Sequence, residues 1–169
     1  MAYNFSKVSV LVVESSREMY NLFKGVLKML EVPDRNLHAA YSPEEATDKF
    51  NQFNHDLIIT DWLQNPDRGI ILTKSIRMNS KSGNRFVPII MTAGSGHKNR
   101  VIRARDAGIS EYLVKPFSAD GLATRITRVI EKPRPFVVSD NFVGPDRRVR
   151  VELYQGEERR VANLKAVKE

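Results

Sequence analysis

The stretch Asp56-Leu57-Ile58-Ile59-Thr60-Asp61, a short apolar run closed by a carboxylate, decides the fold. A continuous apolar run of this length predicts a strand that is buried on both of its faces. Such strands are typical of parallel sheets, because helices cover both sides of those sheets. The sequence on either side of this run supplies the other strands and the helices that such a sheet needs.

Strand-like and helical patterns alternate along the chain. Four further strand-sized runs are predicted, at residues 8–13, 37–41, 88–92 and 111–115. Between the first two, an apolar stripe at helical spacing runs from Met19 to Leu30. The next helix starts at Ser42-Pro43, where Ser42 caps the helix and Glu45 completes a capping box. Further helices are predicted over residues 70–78 and 97–107 and after Ser118. The alternation predicts an α/β fold with helices on both faces of a parallel sheet.

Polar residues with complementary chemistry follow the predicted strands. Read in order, the carboxyl ends give Glu14-Ser15, Asp61, Thr92 and Lys115. Reactive groups of open parallel sheets gather at this edge. A carboxylate there can hold a hard divalent cation such as Mg²⁺. A lysine supplies positive charge to phosphoryl oxygens, and a threonine hydroxyl can donate to another of them.

This ordered set resembles the receiver domain of response regulators, over about residues 7–131. Asp61 ends the third strand, and Gly69 follows its loop as in the family. Thr92 ends the fourth strand, and Tyr112 stands three residues before the lysine of Lys115-Pro116-Phe117. That tripeptide is the Lys-Pro-Phe signature of the family, whose Lys–Pro bond is usually cis. The resemblance implies a flavodoxin-like, doubly wound fold of five parallel strands in the order 2-1-3-4-5.

The resemblance also implies a role for each of these residues. Asp61 would be the phosphoacceptor, Lys115 and Thr92 would contact the phosphoryl group, and Thr92 and Tyr112 would form the switch. The protein would be a chemotaxis-regulator-like receiver of bacterial two-component signalling, catalysing nothing beyond its own phosphoryl transfer and dephosphorylation. Its partners would be a histidine kinase or phosphotransfer protein and an unidentified downstream protein.

The predicted metal site departs from the family pattern. The resemblance implies Mg²⁺ ligation by Glu14, Asp61 and the backbone carbonyl of Leu63. The family usually has two adjacent acids after its first strand, whereas this chain has Glu14-Ser15. Ser15 thus stands at a lost acidic ligand position, and we expect weaker Mg²⁺ binding. The alternative function is a degenerate receiver that acts as a phosphorylation-independent protein-binding adaptor.

The pattern of alternating elements stops at Pro133, which predicts a receiver domain over residues 1–133 and an extension over residues 134–169. The extension contains a twofold repeat, aromatic-x-Gly-x-acid-Arg-Arg-Val, at residues 142–149 and 154–161. Two copies are too few for a repeat architecture. Three interpretations stay open for the extension: a disordered tail, a docking segment for a protein partner, or a nucleic-acid contact.

Composition limits the kinds of site and the cellular location that are expected of the protein. The 169 residues include no cysteine, which excludes disulfides and cysteine-based metal or catalytic sites. The net charge of +7 is spread without a long like-charge block, so nucleic-acid binding is disfavoured. No run is long enough to span a membrane and no signal peptide is apparent, so the expected location is cytoplasmic. Trp62, beside Asp61, is expected at the rim of the site.

Overall fold

The computed structural model describes residues 3–63, 67–148 and 165–167. Short 3₁₀ turns lie at Phe5–Lys7 and Asp34–Asn36. The helices and strands, in chain order, are β1 (Val10–Val13), α1 (Arg17–Met29), β2 (Leu37–Ala40), α2 (Pro43–Phe53), β3 (Leu57–Asp61), α3 (Arg68–Met78), β4 (Ile89–Ala93), α4 (Lys98–Ala107), β5 (Glu111–Val114), α5 (Ala119–Glu131), β6 (Phe136–Ser139), β7 (Phe142–Pro145) and β8 (Lys165–Val167).

The first five strands form one parallel sheet in the order β2-β1-β3-β4-β5, which confirms the predicted flavodoxin-like topology. All residues of β1 and β4 are buried, as expected for strands with helices on both sides. The register pairs Asp61 of β3 with Thr92 of β4. The topology therefore places these two predicted site residues side by side at one edge of the sheet.

Two apolar layers sandwich the sheet. One layer is built largely from α2, α3 and α4 and includes Phe50, Trp62 and Ile76, and the other is built from α1 and α5 around Phe23 and Ile126. Local signals set where the helices begin, because the serines that precede α1, α2 and α5 each accept a hydrogen bond from a backbone N–H of the first turn. Within the described ranges, no helix combines the length and apolarity that crossing a bilayer requires.

Part of the extension is a β-hairpin. Strands β6 and β7 pair antiparallel, and β8 pairs with the other edge of β6. Val143 is buried, and Arg134 donates to the carbonyl of Ser110 at the start of β5. The interpretation of the extension as a disordered tail is therefore wrong for residues 136–145. The second repeat copy, at 154–161, and Val149 of the first lie outside the described residues, and the domain boundary after residue 133 stays a prediction.

The hairpin completes a burial site for Arg77, which is not exposed at all although it carries a charge. Its guanidinium donates to the carbonyls of Gly108, at 2.9 Å, and Val87, at 2.6 Å. The ring of Phe136 lies 5.0 Å from the guanidinium carbon. Burial lowers the pKa of Arg77 to about 9, so the group remains charged at neutral pH. Arg77 thus joins α3, the loops before β4 and β5, and the extension.

Two histidines that are distant in sequence meet at the amino end of β3. His38 of β2 and His55 share a hydrogen bond of 2.7 Å between Nδ1 and Nε2, and His38 also stacks on Phe53. His55 is 0% exposed, and its Nδ1 has no hydrogen-bond partner within the described part of the chain. Burial lowers the pKa of His55 to about 4, with the neighbouring His38 adding to the effect. The folded protein therefore holds His55 neutral.

This pair predicts acid sensitivity of the fold. Below a pH of about 6.5 an unfolded histidine binds a proton that folded His55 excludes until about pH 4. The contribution of neutral His55 to stability is therefore full above the unfolded pKa and is lost as the pH is lowered. The free energy of unfolding should decrease by about 2 kcal/mol from pH 7 to pH 5. Urea unfolding at both pH values should show this loss in the parent protein and a smaller one in His55→Phe. Equal losses in the two proteins would contradict the assignment, and His97→Gln, at an exposed histidine, is the control.

Candidate functional site

The predicted site residues converge at the carboxyl ends of the strands. Asp61 ends β3, Thr92 lies beside it in β4, and Glu14 and Lys115 directly follow β1 and β5. The backbone N–H of Lys115 donates to the carbonyl of Ala93, which continues the β4–β5 pairing to the site. The Lys115–Pro116 peptide bond is cis. Parallel pairing of β1, β3, β4 and β5 thus gathers side chains that are up to 101 positions apart.

The carboxylate of Asp61 is held by three donors. The Lys115 ammonium donates to Oδ1 at 2.7 Å, and the Thr92 hydroxyl approaches the same oxygen at 3.5 Å. The backbone N–H of Leu63 donates to Oδ2 at 3.0 Å. Asp61 is only partly buried, so one side of the carboxylate can be approached from solvent. These contacts orient an accessible anionic oxygen beside a positive charge.

Glu14 is the second carboxylate of the site. It is 3% exposed, accepts from the backbone N–H of Ser16 at 2.9 Å, and receives the Lys115 ammonium at 3.2 Å. Burial opposes the charged form of Lys115, but hydrogen bonds and attraction from Asp61 and Glu14 outweigh it and raise the pKa of the lysine. Ser15, in contrast, is exposed. One lysine ammonium therefore contacts both carboxylates of the site.

The oxygen donors predicted for a divalent cation are the carboxylates of Glu14 and Asp61 and the carbonyl of Leu63. Leu63 is in the left-handed conformation at φ 51°, and its carbonyl accepts a hydrogen bond from the backbone N–H of Arg68 at 3.0 Å. Such oxygen ligands suit Mg²⁺. Over residues 3–63, 67–148 and 165–167, no group of three or more His, Cys, Asp or Glu side chains is placed to hold a metal. The protein donor set is thus hard but contains only two carboxylates.

Tyr112 lies between the site and α4. Its ring is half-buried, and its hydroxyl donates to the carbonyl of Ser95 at 2.6 Å, in the loop that leads from β4 into α4. Burial raises the pKa of the Tyr112 hydroxyl, so the group is a proton donor at neutral pH. Thr92 and Ser95 are three residues apart. Tyr112 is therefore hydrogen-bonded to the loop that directly follows β4, the strand that carries the Thr92 hydroxyl next to Asp61.

The prediction that Trp62 lies at the rim is wrong, because the residue is 2% exposed. Its indole N–H donates to Asp67 at 2.6 Å, and the guanidinium carbon of Arg100 lies 4.9 Å from the ring. Arg103 also approaches the ring and pairs with Asp67. We call these four residues the Trp62 cluster. It joins the loop after Asp61 to α4. Its three charged members were not predicted, because no local motif relates Asp67, Arg100 and Arg103 to Trp62.

Gly69 allows the backbone at the start of α3 to approach Asp61 and Trp62. A Cβ atom at this position would overlap the carbonyl oxygen of Asp61 and lie 2.9 Å from that of Trp62. The backbone N–H of Gly69 donates to the Trp62 carbonyl at 3.0 Å. Only glycine leaves room for this contact. The glycine of the predicted motif therefore has a steric role in the loop that carries Asp61.

Comparison with known proteins gives consistent results. A family model described as the response regulator receiver domain matches residues 10–127. The chain is 26% identical over 125 residues to chemotaxis protein CheY of Pseudomonas aeruginosa, covering 74% of this chain and 98% of that protein. It is likewise 26% identical to chemotaxis protein CheY-3 of Vibrio cholerae, covering 74% of this chain and 93% of that one.

Solved structures show the same architecture. Chemotaxis response regulator CheY4 of Vibrio cholerae superposes with a TM-score of 0.64 at 25% identity, covering 72% of this chain and 98% of that chain. A putative response regulator from Chloroflexus aurantiacus superposes with a TM-score of 0.66 at 25% identity, covering 74% and 98% of the two chains. Both matches leave about a quarter of this chain uncovered, and the family match ends at residue 127.

Proposed function

The chain belongs to the response regulator receiver domain family, and from this premise we propose that it is a phospho-accepting response regulator of a two-component phosphorelay, modified on Asp61. Receiver domains are signalling modules that interact with histidine kinases and downstream proteins. The observation that carries the proposal is the contact between Asp61 and Lys115, 2.7 Å long, with Thr92 on the adjoining strand. A carboxylate, a lysine and a threonine hydroxyl are the groups that are needed to form an acyl phosphate and to sense it.

The proposed reaction is a transfer of one phosphoryl group to the Asp61 carboxylate. An oxygen of Asp61 attacks phosphorus in line, the bond to the donor breaks, and the donor nitrogen or oxygen leaves with the electron pair. Lys115 remains protonated, since its pKa is raised, and neutralises charge on the phosphoryl oxygens. Attack by water on phosphorus later releases inorganic phosphate and restores the carboxylate. Asp61 is thus the nucleophile and Lys115 the electrostatic partner.

Receiver domains generally bind Mg²⁺, and in this chain Glu14, Asp61 and the Leu63 carbonyl would hold it. The bound ion supplies charge neutralisation between the Asp61 carboxylate and the incoming phosphoryl group. Glu14 contributes a buried carboxylate that the backbone N–H of Ser16 already orients. Ser15 contributes no charge at the position where the family usually has an acid. We propose that this serine weakens Mg²⁺ binding without abolishing it.

The proposed switch connects Asp61 to α4 through Thr92 and Tyr112. The Thr92 hydroxyl is 3.5 Å from Asp61, so it can turn to an oxygen of an attached phosphoryl group. That movement would shift the loop whose Ser95 carbonyl accepts from Tyr112. Tyr112 would then move inward and alter the surface made by α4, β5 and α5. A downstream protein that contacts this surface would read the change.

The same role implies where the protein works and with which partners. We propose that it is a cytoplasmic bacterial protein that receives its phosphoryl group from a histidine kinase or a phosphotransfer protein. Signal output would occur by protein–protein contact. The receiver would comprise residues 1–133, with residues 134–169 as an appended segment.

Trp62 provides the experiment that tests this proposal. It is the sole tryptophan of the chain and directly follows Asp61, so its emission reports on the site. Mg²⁺ should change the emission, and beryllofluoride, which mimics a phosphoryl group on a carboxylate, should change it further. Acetyl phosphate should add one phosphoryl group by intact-protein mass spectrometry. An unresponsive spectrum together with an unmodified mass would favour the phosphorylation-independent adaptor.

Ser15→Asp is expected to strengthen Mg²⁺ binding. The substitution restores an acidic side chain at the exposed position next to Glu14, and one more charged oxygen ligand should raise the affinity about tenfold. The measurement is the Mg²⁺ titration of Trp62 emission. Ser15→Asn is the matched control, because it has nearly the same shape as aspartate without its charge. Equal affinities in the two variants would refute the assignment of Ser15 to the lost ligand position.

A further inference from the structure

Residues 142–147, from the first copy of the repeat, lie beyond the end of the receiver family match. We call them the hairpin motif. Its aromatic and arginine positions contact each other, because the guanidinium carbon of Arg147 lies 4.3 Å from the centre of the Phe142 ring. Its glycine position is equally constrained, since a Cβ atom on Gly144 would lie 2.7 Å from the Phe142 ring and 2.8 Å from Cα of Gly108. The residue types of the repeat therefore have a packing role in this copy.

The hairpin motif is bound to the carboxyl end of α4. Arg147 forms an ion pair with Asp106, and its backbone carbonyl accepts a hydrogen bond from Arg105 at 2.8 Å. The carbonyl oxygen of Val143, a buried residue, lies so close to Gly108 that a Cβ atom there would come within 2.6 Å of it. An ion pair, a hydrogen bond and direct backbone contact thus fix the end of α4 against the extension.

The same helix is bound to the segment that follows Asp61. Arg103 of α4 forms an ion pair with Asp67, which also accepts the indole N–H of Trp62 at 2.6 Å. Arg100, about one turn earlier in α4, lies over the Trp62 ring with its guanidinium carbon 4.9 Å from the ring centre. Trp62 directly follows Asp61 in the chain. The helix α4 therefore contacts the segment after Asp61 and the hairpin motif at the same time, and it joins Asp61 to the extension.

The backbone contact at Gly108 limits how α4 can move. A helix of 10 residues moves largely as one body, so a displacement where it meets the segment after Asp61 also displaces its carboxyl end. That end meets the backbone of β7 and cannot advance without displacing the hairpin motif. These contacts are formed with Asp61 unmodified, so they stabilise the position that α4 has before phosphorylation. Because coupling between two sites is reciprocal, a contact that favours the unmodified form also opposes the modification.

We propose that the hairpin motif regulates the phosphorylation of Asp61 through α4. Bound to Arg105 and Asp106, it holds α4 in the position of the unmodified protein, and Asp61 accepts a phosphoryl group less readily as a result. Phosphorylation in turn weakens the contact between α4 and the hairpin motif. This regulation rests on the proposed function of Asp61 and gives the extension a role in it. The ion pair between Asp106 and Arg147 is exposed, so it can be removed without disturbing the core.

The test measures beryllofluoride binding by the full chain, as the concentration that gives half of the change in Trp62 emission at saturating Mg²⁺. Arg147→Gln and Asp106→Asn each remove the ion pair, and each should lower that concentration about threefold, the size expected for one exposed ion pair. The two substitutions change the net charge in opposite directions, so a general effect of charge on the anionic ligand would shift them in opposite directions. Arg148→Gln is the matched control, because Arg148 pairs with Asp146 of the hairpin motif itself, and this variant should bind like the parent.

Two further measurements examine the same coupling. The double variant Asp106→Asn/Arg147→Gln should match the two single variants, because all three proteins lack the same ion pair. In the parent, hydrogen exchange of the hairpin motif should become faster when beryllofluoride binds.

The outcomes separate this regulation from the proposed function. A parent that responds to beryllofluoride, with both single variants at the same half-saturation concentration, would overturn the regulation and leave the proposed function intact. An unchanged exchange rate of the hairpin motif in a responding parent would do the same. Opposite shifts in the two single variants, or an equal shift in Arg148→Gln, would replace the regulation by a charge effect. A parent without any response would overturn the proposed function, and the regulation with it.

Discussion

Replacing Asp61 by asparagine is expected to abolish phosphorylation by acetyl phosphate. The amide has no anionic oxygen to attack phosphorus, and it leaves Lys115 with Glu14 as its remaining carboxylate at 3.2 Å. Lys115 has no carboxylate, so it cannot form an acyl phosphate in place of Asp61. We therefore expect a loss of at least about a thousandfold in labelling rate, the size typical of removing a catalytic nucleophile. Intact-protein mass and the acid lability of the adduct measure it.

Asp48→Asn is the matched control for this experiment. Asp48 is an exposed aspartate on α2, so the substitution changes the same functional group away from the site. Asp48→Asn should label like the parent and keep the response of Trp62 to beryllofluoride, and Asp61→Asn should lose both. Persistent labelling of Asp61→Asn at the parent rate would place the acceptor on another residue. The proposed function would then fail at its first step.

Gly108→Ala is expected to destabilise the protein by about 3 kcal/mol. Gly108 ends α4 with φ 103°, in the region where a side chain is strained. A Cβ atom there would lie 2.6 Å from the carbonyl oxygen of Val143 in β7 and 3.0 Å from Cγ of Arg77. The first contact is with backbone, so relief requires the hairpin to move away from α4. The substitution thus combines backbone strain with loss of packing.

Urea unfolding followed by circular dichroism measures this effect. Gly25→Ala is the control, because Gly25 is exposed in the middle of α1 and an added Cβ meets nothing within 4 Å. Alanine there should stabilise the protein by up to about 1 kcal/mol, since glycine is a poor helix former. A Gly108→Ala variant as stable as the parent would show that the hairpin does not hold the α4 terminus at its position.

The sequence was sufficient to predict the sheet and the residues at its carboxyl edge. Parallel strands end at one edge, so Asp61 at the end of β3 and Thr92, one residue before the end of β4, had to lie together once their strands were identified. The helix starts were equally local, because Ser42 caps α2 as predicted. Glu45 differs in one detail, since it accepts from the N–H of Tyr41 instead of that of Ser42. Local and topological rules therefore explain the successes.

The unpredicted features depend on contacts between distant positions. His38 and His55 meet because β2 and the start of β3 both flank β1, and no metal-type spacing relates them. Trp62 is buried under α4 because Asp67 accepts its indole N–H and two arginines of α4 contact its ring. Charge counts along the sequence do not reveal these contacts. Specific partners at distant positions satisfy the polar groups of these side chains.

Arg77 and the hairpin did leave signals in the sequence. Arg77 follows Ile70 and Thr73 at helical spacing, so it lies on the buried stripe of α3. The hairpin has a two-residue Asp140-Asn141 connection between apolar runs, which is a known turn pattern. The repeat predicted at residues 142–149 begins directly after this turn and does not include it. A cation on an apolar helix stripe should prompt a search for the segment that covers it.

The burial of Arg77 by Phe136 also affects how the protein folds during its synthesis. Translation proceeds from the amino end, and Phe136 lies 59 positions after the arginine whose guanidinium it faces. While the extension is still inside the ribosome, all five strands of the main sheet can form, but Arg77 lacks its aromatic neighbour and Gly108 lacks the β7 backbone. The nascent receiver should therefore acquire its native packing around α3 and α4 only after the hairpin over residues 136–145 emerges.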